Sequence, residues 1–178
     1  MRATEYTLST RPIPMTTTVL GSTQVRFRRR TSTAKTPTKA TPGSACWDVY
    51  ADIPFPQLVL EPGHAHAVPT GWEIEIPYGW TGLVFARSGL AARLQVHLAN
   101  GVGVIDSDYR GELQILLEMT GLAADDHPRN TDFLTIKPGE RIAQILFLPL
   151  PPVEIIETDQ SLSSTVRGEG GFGSTGGS

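Results

Sequence analysis

The sequence predicts an all-β fold, a jelly-roll-like barrel or sandwich with one short helix. Three observations carry this expectation. Glycine and proline, 18 and 14 of the 178 residues, punctuate the chain at short intervals. Between them lie runs of β-forming residues with a period near two. Only one stretch has a helical composition, and many short strands divided by turn signals are the mark of sandwiches and barrels.

Taken in order, residues 1–21 are rich in Thr, Ser and Arg and read as a disordered leader; Glu5 and the lack of an amphipathic pattern argue against a transit peptide. The β domain is set at 22–165. Its first candidate strand is 24–28. Trp72, Ile74 and Ile76 alternate with Glu73 and Glu75, a half-buried strand that ends at the Pro77-Tyr78-Gly79 turn. A second strand follows over Trp80–Phe85. Ser88–Leu94, with Leu90, Ala91, Ala92 and Arg93, is the one helical stretch. Residues 113–119 and 142–148 are almost continuously apolar, as in strands covered on both faces, and belong to the core or to a subunit interface. From 166 to 178 the composition turns to glycine, a flexible tail that stays mobile until something docks it.

Composition narrows the function. A formal net charge of −3 gives the molecule no overall attraction for nucleic acid. The local basic run of Arg26, Arg28, Arg29, Arg30, Lys35 and Lys39 reads as a solvated strand edge and loop. Cys46 is the single cysteine, which excludes an internal disulfide and every multi-cysteine metal site. His64 and His66 flank a turn beside Gly63 and show no ligand spacing. No apolar run approaches the roughly 20 residues needed to cross a bilayer. A soluble, cytoplasmic protein with no membrane partner is expected.

Four segments have the residues for chemistry. The tail, Arg167-Gly168-Glu169-Gly170-Gly171-Phe172-Gly173-Ser174-Thr175-Gly176, offers backbone N–H groups and hydroxyls to phosphate oxygens, a stacking ring and a fixed positive charge. It lacks the Gly-Lys-Ser/Thr of a P-loop. In Phe85-Ala86-Arg87-Ser88-Gly89-Leu90-Ala91 a strand runs into a short helix whose amino terminus suits an anion, although Ser88 is equally an ordinary cap. Residues 100–112, Asn-Gly-Val-Gly-Val-Ile-Asp-Ser-Asp-Tyr-Arg-Gly-Glu, read either as a backbone pocket for a flat ligand or as a polar hairpin with Asp106 and Asp108 as turn formers. In Gly139-Glu140-Arg141-Ile142-Ala143-Gln144 the amide of Gln144 is out of place in an apolar run and needs polar partners.

Together and in this order, the segments resemble the five motifs of the trimeric dUTPase family, with residues 42–52 as the first. The resemblance covers 24–176. It implies a jelly-roll-like dUTPase β-barrel subunit in a homotrimer with shared active sites, each tail closing a neighbour's site. The implied reaction is hydrolysis of dUTP to dUMP and pyrophosphate, which limits uracil in DNA and supplies dUMP for dTMP synthesis. Asn100, with backbone around Gly103, would meet the uracil edge, Tyr109 would lie under the deoxyribose, and Phe172 would stack on the base. Asp106 matches the general base that activates water. Arg87, Ser88, Gly89 and Gln144 match the phosphate-binding positions, and Arg167, Gly173, Ser174 and Thr175 the closing lid. Asp48 matches the acid that holds the water shell of Mg2+, the ion itself being bound by triphosphate oxygens and water.

Two features depart from the family pattern. The first motif commonly reads Ala-Gly-Tyr/Phe-Asp-Leu, against Ala45-Cys46-Trp47-Asp48-Val49 here, and residues 121–130 form an insertion-like surface loop with no assigned role. The rival readings are a dCTP deaminase or bifunctional enzyme of the same fold, which would need a glutamate at the base, and a regulatory binding protein on the same scaffold. Tyr109 and the complete terminal motif argue against the deaminase.

Overall fold

The computed structural model describes residues 23–120 and 133–171. The chain runs through β1 (Arg26–Arg29), β2 (Trp47–Tyr50), β3 (Leu58–Leu60), β4 (Ala65–Glu75), β5 (Trp80–Phe85), α1 (Ser88–Leu94), β6 (Val96–Leu98), β7 (Gly103–Ile105), β8 (Glu112–Met119), β9 (Leu134–Ile136) and β10 (Arg141–Pro149). The leader at 1–21, the loop at 121–130 and the tail residues Phe172, Gly173, Ser174 and Thr175 lie outside the described residues.

All pairing is antiparallel within the sheets, in the orders β1-β4-β8-β6, β2-β10-β5-β7 and β3-β9. The all-β class and the single short helix are as expected, but the sheets are not closed into a barrel. They share one apolar core instead. Val68, Ile74, Leu113, Ile115 and Leu117 of the first sheet belong to the same buried cluster as Val49, Val84, Ile142, Ala143 and Ile145 of the second. Phe27 of β1 meets Phe147 of β10 edge-on at 6.5 Å, and Trp47 lies 5.7 Å from the same ring, so aromatics tie the two sheets at one end.

Three local expectations are corrected. β8 alternates strictly, with Leu113, Ile115, Leu117 and Met119 buried and Gln114 and Leu116 exposed, so the chain itself covers one face of this strand. His66 is part of β4 and not of a turn, because the alternation of Ala65, His66, Ala67 and Val68 already carries the strand; the turn is at Gly63 (φ 75). Residues 100–112 are not a hairpin. β6 and β8 pair with each other, while β7 between them leaves to pair with β5 in the other sheet. The connections on either side of β7 therefore cross from sheet to sheet and stand at the surface.

Candidate active site

The first cluster is set by the second sheet. Asp48 of β2, Gln144 of β10 and Phe85 of β5 lie side by side in register across three neighbouring strands. Arg87 follows β5 in extended conformation (φ −83, ψ 131) and turns back to donate from Nε to Asp48 Oδ1 at 2.9 Å. Arg141 donates from its terminal N–H to Asp48 Oδ2 at 3.2 Å, so one carboxylate holds two guanidiniums. Arg87 also reaches the Arg141 carbonyl at 3.4 Å. The Gln144 amide donates to the Ala86 carbonyl at 3.0 Å, which answers the need for a partner and steadies the segment leading into α1. One carboxylate against two guanidiniums leaves the cluster with a surplus positive charge.

Ser88 opens α1, but Arg87 takes the cap position and makes no side-chain cap bond, so Ser88 is not the cap. It is exposed, with Gly89 half-buried behind it. Cys46 stands where the family pattern has glycine without needing a left-handed backbone: among the described non-glycine residues only Gln95 has a positive φ.

The second cluster surrounds β7. Asn100 and Gly103 line a cleft of about 80 Å³, and Asp106 and Tyr109 line a cleft of about 240 Å³; Val104, Ile105 and Gln114 border both. Asp106 is exposed, and its carboxylate has no hydrogen-bond partner among the described residues. Its carbonyl accepts the Tyr109 N–H at 3.2 Å, closing a turn that presents the acid and the ring on one edge. The Tyr109 hydroxyl donates to the Glu112 carbonyl at 2.8 Å. Gly111 is needed beneath it, because a Cβ there would land on the Tyr109 ring and hydroxyl. Arg110 donates to the carbonyls of Ser107 and Tyr109 at 2.7 and 2.8 Å and fastens the same turn. Gln114 and Glu112 were given no role from sequence; the signal available for Gln114 was its place as a polar residue between Leu113 and Ile115.

Asp106 and Arg87 lie at opposite ends of β5, with Gly103 between them opposite Val84. Ile105 pairs with Gly82, and Thr81 donates to the Ile105 carbonyl at 3.0 Å, so Asp106 stands beside the start of the strand. Arg87 lies past its other end. At about 3.3 Å per residue, Thr81 to Arg87 spans roughly 20 Å. Arg167, the described member of the tail set, donates to the Gly170 carbonyl at 2.9 Å within its own exposed turn.

Half of the basic run is paired with carboxylates, while Arg29, Lys35 and Lys39 meet carbonyls or aromatic rings. Arg26, Arg28 and Arg30 alternate on one face of the β1 edge against Glu75, Glu73 and Glu112, with ion pairs at 3.6 Å (Arg26–Glu75), 3.8 Å (Arg30–Glu73) and 3.9 Å (Arg30–Glu112) and a hydrogen bond from Arg28 to Glu73. That hydrogen bond holds the Glu73 carboxyl below the usual carboxylate range.

Among the described residues no group of three or more His, Cys, Asp or Glu side chains could cage a metal ion. Asp48 has each oxygen engaged once, which leaves further lone pairs that could accept from a metal-bound water. Among the described residues no helix is long and apolar enough to cross a membrane.

The dUTPase family model matches residues 32–176. The deoxyuridine 5'-triphosphate nucleotidohydrolase of Desulfitobacterium hafniense (strain DSM 10664 / DCB-2) is 44% identical over 154 residues, 86% of this chain and 95% of that protein. The protein of the same name from Chlamydia trachomatis serovar L2 is 38% identical over 150 residues, 84% of this chain and 97% of its own length. Among solved structures, the Staphylococcus bacteriophage 80alpha dUTPase with dUPNHPP superposes with a TM-score of 0.73 at 25% identity, covering 87% of this chain and 99% of that one. A dUTPase from phage phi11 of S. aureus, described with a structural Mg(II) ion, matches in fold with a TM-score of 0.67 at 22% identity, covering 79% and 99%.

Proposed function

The chain belongs to the dUTPase family and is a dUTP diphosphatase, and we propose that Asp106 is the base that activates water for in-line attack on the α-phosphorus. The observation that carries this reading is the position of Asp106: an exposed carboxylate, unengaged among the described residues, that lines one cleft with Tyr109 and follows Ile105, which borders both that cleft and the one lined by Asn100 and Gly103. A free carboxylate beside a nucleoside-sized recess is what proton removal from an attacking water requires. The water oxygen bonds to the α-phosphorus as its proton passes to Asp106. The bond from that phosphorus to the bridging oxygen breaks, pyrophosphate leaves with the electron pair, dUMP remains, and the proton on Asp106 returns to solvent.

The remaining residues bind and orient. Asn100 and the backbone at Gly103 read the uracil edge; glycine permits the approach because any side chain there would press on Val84. The Tyr109 ring, fixed by its hydroxyl bond and by Gly111, forms the floor under the sugar and leaves no room for a 2′-hydroxyl. Arg87, Ser88, Gly89 and Gln144 hold the phosphates, and Arg167 with the tail residues Phe172, Gly173, Ser174 and Thr175 closes over the nucleotide and sheds water. Asp48 would hold the water shell of a Mg2+ ion brought with the triphosphate, and the ion would supply charge neutralisation for the leaving pyrophosphate. In a cytoplasmic setting the reaction lowers dUTP available to DNA synthesis and supplies dUMP for dTMP.

The roughly 20 Å between Asp106 and Arg87 along β5 supports sites shared between copies in a homotrimer, since one triphosphate cannot bridge them within one chain. The segment after β10 supports the same assembly: Leu150, Val153, Ile155, Ile156, Leu162 and Val166 are all at least half exposed, apolar surface that a neighbour would cover.

The test is product analysis with dUTP, dCTP, dTTP and UTP side by side, with and without magnesium, on the wild type and on Asp106→Asn. Pyrophosphate from dUTP alone, and a folded trimer of Asp106→Asn without measurable turnover, are expected. Unchanged turnover in that variant would remove the mechanism, ammonia from dCTP would favour the deaminase relative, and a fully active monomer would break the shared site.

A further inference from the structure

We propose that Thr81 is a positioning residue for the reaction, which aims the Asp106 carboxylate by holding the peptide group that precedes it. This rests on the reading of Asp106 as the base given above.

The need for such a residue follows from how Asp106 is held. Its carboxylate is exposed and has no hydrogen-bond partner among the described residues, so no side chain there sets its direction. Its aim comes from the backbone on either side. After Asp106 the chain is closed by the turn in which the Tyr109 N–H meets the Asp106 carbonyl at 3.2 Å. Before it, β7 pairs with β5 through Val84–Gly103, Leu83–Val104 and Gly82–Ile105, and there the ladder stops. The next rung would set Thr81 opposite Asp106, and that rung is not formed.

Thr81 replaces the missing rung with its side chain. The hydroxyl donates to the Ile105 carbonyl at 3.0 Å, and the residue is only 5% exposed. The carbonyl it takes belongs to the peptide group that joins Ile105 to Asp106. A peptide is planar, so fixing its oxygen fixes the plane that ends at the Asp106 Cα, from which the acid projects. Thr81 is in turn held from behind. β5 pairs without interruption with β10, from Phe85–Gln144 to Trp80–Pro149, and Thr81 faces Leu148 within that run. Valine suits a buried strand position as well as threonine does, so packing alone does not call for the hydroxyl. The Ile105 carbonyl does. The acid is thereby oriented before substrate arrives, while its own oxygens stay free to take a proton.

The experiment compares Thr81→Val, which keeps the shape and loses the donor, and Thr81→Ser, which keeps the donor, with the wild type. Steady-state dUTP hydrolysis, competitive inhibition by dUMP and thermal melting are measured on each. A displacement of about 1 Å at a reacting group costs roughly 100-fold, so a loosened base should cost about 10-fold. In Thr81→Val kcat should fall by that order. The KM for dUTP and the inhibition constant of dUMP should stay unchanged, because Asn100, Gly103 and Tyr109 keep their places. Thr81→Ser should restore most of kcat. If Thr81→Val does not fold, Thr81→Cys, whose thiol is a weak donor, takes its place, with a smaller fall in kcat at normal dUMP binding. A lowered melting temperature with unchanged kcat, equal losses in kcat and in dUMP binding, or a Thr81→Ser variant as slow as Thr81→Val would each overturn the proposal and leave the hydroxyl as a structural bond at the strand end. Full turnover in Asp106→Asn would defeat the underlying reading instead, and that result is scored with Thr81 intact.

Discussion

Two regions of this molecule are built from arginine and carboxylate, and they are put to opposite use. Along the β1 edge, Arg26, Arg28 and Arg30 face Glu75, Glu73 and Glu112 one for one, with the Arg26 and Arg28 side chains 73% and 81% exposed. At the β2–β10–β5 cluster, Arg87 and Arg141 divide a single carboxylate that is 12% exposed. The first arrangement cancels its charge and faces water, where ion pairs contribute little. The second keeps positive charge in a partly desolvated place, where it can be spent on a ligand. A count of arginines does not separate the two regions; the carboxylates opposite them do.

The hardest blow to this contrast would come from Asp48. Replacing it with Ala frees both guanidiniums at once, and if the cluster holds phosphate as proposed, a displacement by about 1 Å should cost roughly 100-fold in kcat/KM. Stability should fall too, by about 1–3 kcal/mol for the orphaned donors, seen in urea denaturation. An Asp48→Ala variant with wild-type kinetics would show that the cluster is decoration.

Glu112 sharpens the comparison from the other side, since it belongs to the neutral ladder but behaves like the buried strut. One oxygen faces Arg30 at 3.9 Å, while the other accepts the buried Gly71 N–H at 2.9 Å. Glu112→Ala should therefore destabilise by about 1–3 kcal/mol, the cost of an unpaired buried donor, whereas Glu112→Gln keeps an acceptor and should lose much less. Equal losses in both would mean that the charge, and not the hydrogen bond, matters at this rung.

The smallest effect is expected at Glu73. Its carboxyl is held below the usual range, first by the hydrogen bond from Arg28, against a smaller opposing effect of burial, with the charges of Arg28 and Arg30 adding to the depression. A depressed carboxylate stabilises the fold above its unfolded value, about 4.3, and loses that contribution as pH falls through the lower folded value. The melting temperature should thus fall slightly less steeply below pH 5 for Glu73→Gln than for the wild type, and 1 M salt should shrink the difference by screening its charge part. A difference untouched by salt would leave the hydrogen bond as its whole source.

Much of this fold was legible. The alternation of Trp72, Ile74 and Ile76 with two glutamates marked the end of β4, the bounds of β5 and α1 agree with the sequence reading, and the apolar runs marked β8 and β10. Strands of three residues such as β3, β6, β7 and β9 are too short to show a period, so they were not read. The candidate site was legible as strings, not as geometry. Asp106 and Tyr109 stood out through the run Asp-Ser-Asp-Tyr-Arg-Gly-Glu, while local physics alone left a turn and a pocket evenly matched. The face of Arg141 was unreadable, because one bulged residue reverses the parity on which any such reading depends.

The placement of Asp106 and Arg87 at the two ends of β5 has a consequence for heredity. In a trimer with shared sites, a chain defective at one end spoils one site and still lends its intact end to another. Two alleles, each inactive alone, one lacking the acid and one lacking the arginine, would complement when expressed together, because mixed assemblies regain a site made wholly of undamaged halves. A lesion that distorted the whole of β5 would lack this rescue and would act as a poison in mixed company.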